Sequence, residues 1–69
     1  MDVKSGNKRA DIRIGALVEI VQKQDQRTGD LTKGLVKRLL TKSATHPHGI
    51  KVLLDTGEVG RVKHVLPDE

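Results

Sequence analysis

The sequence predicts an all-β fold: a small barrel of four to five short antiparallel strands joined as a meander. Three observations carry that prediction. Apolar residues alternate with polar ones over 12–21, 49–54 and 58–63, the period-two pattern of half-buried strands. Polar stretches containing glycine or proline, at 23–33, 42–49 and 55–57, punctuate the chain between them. The chain has 69 residues, room for one small domain and no more.

The elements follow in order. Residues 1–10 hold three basic residues and only Met1 and Val3 as large apolar ones, which predicts a flexible arm ahead of a single domain at 11–67. Ile12, Ile14, Ala16, Val18 and Ile20 share one face of a first strand that starts near Gly15, with Leu17 and Val21 breaking the pattern. The polar loop 23–33 turns at Thr28-Gly29-Asp30, and Asp25 is expected to cap backbone N–H groups with its carboxylate while Arg27 faces outward. Gly34–Thr41 fits one face of a short helix through Val36, Leu39 and Leu40. Eight residues between two loops nevertheless suit a strand better, with a bulge near Lys37 and Arg38 returning Leu39 to the side of Val36. In the loop that follows, Pro47 biases His46 toward extended backbone.

Ile50, Val52 and Leu54 then define a buried face, so Lys51 points outward. Asp55-Thr56-Gly57 closes a hairpin, and the returning strand contains Gly60, which signals a bulge or a close backbone approach. His64-Val65-Leu66 is expected as a closing turn that drops Val65 or Leu66 into the core.

Composition excludes several classes of function. There is no cysteine, so no disulfide, thiolate metal site or thiol nucleophile exists. No apolar run approaches the roughly 18 residues of a membrane span, and the N-terminus lacks the apolar segment of a signal peptide. A cytoplasmic protein with no membrane partner is the expectation. A domain this small buries only about 60% of its unfolded surface. It rarely shapes a pocket of roughly 300 Å³ or more, which argues against an enzyme. No catalytic constellation emerges either. Ser43 and His46 are neighbours in a loop with no orienting third group.

The spacings Gly15-x-x-Val18-x-Ile20, Gly34-x-Val36-x-x-Leu39, Gly49-Ile50-x-Val52 and Gly57-x-x-Gly60-x-Val62 resemble those of a KOW-type SH3-like barrel. The phrases DQRTG (25–29), LTKS (40–43), HPHGIKV (46–52) and GRVK (60–63) resemble the YwbE-like family, a domain of unknown function, over about residues 11–66. That resemblance implies the small SH3-like fold. Through the wider KOW analogy it also implies a partner that is RNA or a ribonucleoprotein.

Charge points the same way. From Lys8 to Lys63 the chain carries twelve basic and six acidic side chains, within a formal net charge of +4. Lys23, Arg27, Lys33, Lys37, Arg38, Lys42, Lys51 and Arg61 are the candidate phosphate contacts, joined by His46 and His48 when protonated. Phe, Tyr and Trp are all absent, so bases cannot stack on aromatic rings and recognition is expected to rest on phosphate and shape. The bland counterpart is a charged surface that serves solubility alone. A functional alternative is a protein-interaction adaptor using an exposed strand edge, with Leu17, Val21 or Leu53 as a small apolar patch. His46-Pro47-His48 with His64 could chelate a metal, but four well-placed ligands are not apparent, so no metal and no cofactor are expected.

Overall fold

The computed structural model of the chain describes residues 3–67. Its strands are β1 (Lys4–Ser5), β2 (Leu17–Val21), β3 (Thr32–Leu39), β4 (Lys51–Leu54) and β5 (Val59–Val65). Two single 3-10 turns, Arg9–Asp11 and Lys23–Asp25, complete the regular structure. From β2 to β5 each strand pairs antiparallel with the next, and β5 returns to pair with β2. The meander therefore closes into a four-stranded barrel, and β1 adds a fifth strand beside the end of β5. Closure gives every barrel strand a neighbour on both sides. A full-length open edge, which a strand-pairing adaptor needs, is thus absent from these four strands.

Alternation builds the core as the sequence predicts. Val18 and Ile20 from β2, Val52 and Leu54 from β4, and Val62 from β5 point inward with Ile50 and Val36 beside them, and a register shift that leaves Lys63 unpaired on β5 brings Val65 to the same side. On β3 the register passes from Val36 opposite Leu54 to Arg38 opposite Leu53, which leaves Lys37 as the extra residue of a bulge. Val36 is buried and Leu39 packs against the core, so the bulged strand is correct and the helix is not. A Cβ on Gly60 would sit 2.6 Å from the Val21 carbonyl oxygen, the close approach that this glycine signals. No helix among the described residues is long and apolar enough to cross a membrane.

The structure departs from the sequence reading at both ends of the barrel. The segment expected as a flexible arm is held to the sheet, while Met1 and Asp2 lie outside the described residues. Lys4 and Ser5 pair with Val65 and His64. Beyond them the Gly6 carbonyl accepts the Ile50 N–H at 2.8 Å, and the Asn7 carbonyl accepts the His46 N–H at 2.9 Å. These are backbone bonds, which a polar sequence makes as readily as an apolar one. Likewise β2 starts at Leu17, because the chain turns at Arg13–Ala16, where the Ala16 N–H reaches the Arg13 carbonyl at 3.0 Å. The turn throws Ile14 outward to 70% exposure, although Ile12 remains in the core. At the other end, residues 64 and 65 continue β5, in place of the expected closing turn.

Candidate nucleic-acid interface

Lys51 and Arg61 stand directly opposite each other across β4 and β5, and Val21 of β2 stands opposite Arg61 on its other side. Their strand neighbours Ile50, Val52, Gly60 and Val62 are buried, so this row points outward. One step along the same face, Arg38, Leu53 and Val59 form a second row across β3, β4 and β5. The bulge at Lys37 is what sets Arg38 there. Without it Arg38 would be displaced from Leu53 by one position and lie on the other face. Among the described residues no carboxylate lies within 4.0 Å of Arg38, Lys51 or Arg61.

The long first loop folds back over the barrel and borders this face. It is pinned at its root by Gln22, whose Nε2 donates to Thr32 Oγ1 at 3.0 Å and to Glu58 Oε2 at 3.1 Å. Further along, the Asp25 carbonyl accepts the Gly29 N–H at 2.7 Å and the Thr28 hydroxyl at 3.3 Å. The capping group is thus the Asp25 backbone carbonyl rather than the expected carboxylate. An i to i+4 backbone turn already satisfies the groups that a side-chain cap would have served.

Two open clefts result, one on each side of Arg61. A groove of about 450 Å³ holds Lys23 and Lys51 with Gln24, Gln26 and Val59. A neighbouring cleft of about 520 Å³ holds Gln26 and Leu31 from the loop, His48, and Lys63 and His64 from β5. A chain this small was not expected to shape either. Both exist because the loop, having no core residues of its own, stands off the barrel wall instead of filling it.

Of the ten candidate residues, the structure gathers Lys23, Arg38, Lys51 and Arg61 on one face and brings His48 to its margin. Lys33 stands elsewhere, opposite Glu19 on β2. Arg27, Lys37, Lys42 and His46 line neither cleft. Gln24, Gln26, Lys63 and His64 are the polar lining residues outside the ten. For Gln26 the sequence carries no signal, because only the folding-back of the loop places it.

The histidines are held individually. His64 Nδ1 lies 3.1 Å from Glu19 Oε1, and the His46 and His48 rings are tilted with centroids 5.8 Å apart. Among the described residues no three His, Asp or Glu side chains converge as a metal site. His46 Nδ1 accepts the His48 N–H at 3.1 Å, a role that only unprotonated nitrogen can fill. Partial burial, then Arg61, then His48 lower the His46 pKa below its ordinary 6.5. A depressed histidine pKa gives stability that is present above the unfolded value and lost as pH falls through the folded one. Thermal melts should therefore show stability declining below pH 6.5, and His46→Asn, whose amide oxygen can accept the same bond, should flatten that decline.

A closed antiparallel barrel of short strands, with one added strand and a basic outer face, defines a small SH3-like barrel protein. The chain belongs to the family described as "Uncharacterized conserved protein (DUF2196)", which it matches over residues 5–65. It is 52% identical over 62 residues to "Uncharacterized protein YwbE" of Bacillus subtilis (strain 168), covering 90% of this chain and 95% of that relative. No solved structure matches.

Proposed function

We propose that the protein is a non-catalytic RNA-binding module that takes phosphates on the outward face of β4 and β5. The observation that carries this reading is the directly opposed pair Lys51 and Arg61. Like charges placed opposite each other across strands destabilise a sheet. An intramolecular carboxylate within 4.0 Å would offset that cost, and none is found among the described residues. A bound phosphate offsets it instead, and Arg38 and Lys23 extend the same positive strip. With no aromatic residue in the chain, binding depends on the backbone of the nucleic acid more than on its bases.

The test is a titration of the protein with an RNA hairpin across a range of salt. Replacing the exposed Lys23, Arg38 and Lys51 together with alanine should weaken binding at least tenfold. It should also reduce the slope of log K against log salt by about 2 to 3 units. Replacing Arg27, Lys33 and Lys42, which line neither cleft, should change both far less. Equal losses in the two triple variants would show a diffuse charge effect and sink the assignment of the face.

A further inference from the structure

The 520 Å³ cleft beside the basic strip has a composition unlike the strip itself. Its volume falls within the roughly 300–1,000 Å³ of small-molecule sites. Its aliphatic lining is Val21 and Leu31, the latter 42% exposed although apolar. Arg61, the cross-strand neighbour of Val21, and Lys63 make the rest of the strand side cationic, and no Asp or Glu lines the cleft. Arg61 uses Nη1 to donate to the Gly49 carbonyl at 3.0 Å, which fixes the guanidinium at the cleft and leaves its other N–H donors available. The amide of Gln26, with no side-chain hydrogen-bond partner among the described residues, and the flat ring of His48 complete the lining.

We propose that this cleft receives one unpaired nucleotide of a bound RNA, with its phosphate on Arg61 and Lys63 and its base against Val21 and Leu31. The proposal rests on the RNA-binding reading and deepens it by naming what is bound. A guanidinium fork fits a phosphate, an aliphatic wall covers the face of a base, and an amide meets the edge of any base with a donor or an acceptor. Bases stacked inside a duplex cannot present a face in this way, so the cleft selects loops, bulges or ends. Aliphatic and amide contacts discriminate weakly among bases, and selection is by strandedness rather than by sequence.

The experiment compares a hairpin with an unpaired loop against a blunt duplex of the same stem, using amide chemical shifts of isotope-labelled protein. Inorganic phosphate and adenosine 5′-monophosphate serve as small-anion probes. The hairpin should shift Gln26, Gly29, Leu31 and His48 together with Lys51 and Arg61, whereas the duplex should shift only the last two. Leu31→Ser, at an exposed position, should weaken the hairpin about fivefold and leave duplex affinity unchanged. Binding of both RNAs with the cleft amides silent would overturn the proposal while leaving the RNA-binding reading standing. Loss of all RNA binding would overturn both. A cleft filled by the small anions but never by the hairpin would overturn the proposal in favour of a small-anion site.

Discussion

Alanine at Gly49 is expected to leave the chain largely unfolded at room temperature, the largest single-residue effect this structure implies. Gly49 has φ +99°, a backbone conformation that side-chain-bearing residues rarely adopt, at an initial cost on the order of 1–3 kcal/mol. A Cβ there would also overlap the carbonyl oxygen of Val62, which is backbone of the central strand β5 and cannot swing aside. Gly6 approaches that same oxygen from the N-terminal segment, so relief on one side tightens the other. Several bonds would shift with it. The Ile50 N–H donates to Gly6, the Val62 N–H donates to the Ile50 carbonyl at 2.9 Å, and Arg61 donates to the Gly49 carbonyl. Gly57 separates the two causes. Its φ is +95°, yet a Cβ there meets nothing within 4 Å, so Gly57→Ala should cost only about 1 kcal/mol. With no aromatic residue to report by fluorescence, far-UV circular dichroism and the spread of amide resonances are the measurements. A Gly49→Ala protein that melts within a few degrees of the parent would contradict the close approach described here.

Leu54→Ala should produce the next largest loss. Leu54 is fully buried where β3 and β4 meet, in a core whose described members are aliphatic throughout. A buried leucine cut to alanine typically costs about 2–5 kcal/mol. A domain of this length holds on the order of 3–10 kcal/mol in total. The single substitution can thus remove most of the stability. Partial repair is built into the fold. A Cβ on Gly34 would lie 2.8 Å from Leu54 Cδ1, so a methyl added at Gly34 enters space that Leu54→Ala vacates. Gly34→Ala alone should be mildly destabilising or neutral, and in the Leu54→Ala background it should recover about 1 kcal/mol. Urea denaturation of the four proteins measures that coupling. Additive effects would show that the two positions do not share the volume.

Much of the barrel was legible because its strands obey one rule. Inward residues recur every second position on β2 and β4, and the interruptions on β3 and β5 are bulges, one at Lys37 that realigns Val36 with Leu39 and one at Lys63 that realigns Val62 with Val65. The candidate interface was legible in part. Lys51 was bound to face outward once Ile50 and Val52 were assigned inward, and the excess of basic residues was plain in the composition. What the pattern could not supply was which cations share a face, since that depends on register and barrel closure. Arg27, Lys33 and Lys42 are as basic as Lys23, Lys51 and Arg61, yet they line neither cleft.

By itself, then, the sequence determined the all-β class, the strand order along the chain and most of the core, because hydrophobic burial writes its period directly into residue types. Only the tertiary structure decided that Lys4–Ser5 joins the sheet, that β5 extends to Val65, and that the first loop turns back to shape a cleft with His48 and Lys63. Those features rest on backbone hydrogen bonds and on long-range contacts between polar segments. Neither has a periodicity, because any residue except proline can donate a backbone N–H, and a loop's path is set by what it meets across the barrel.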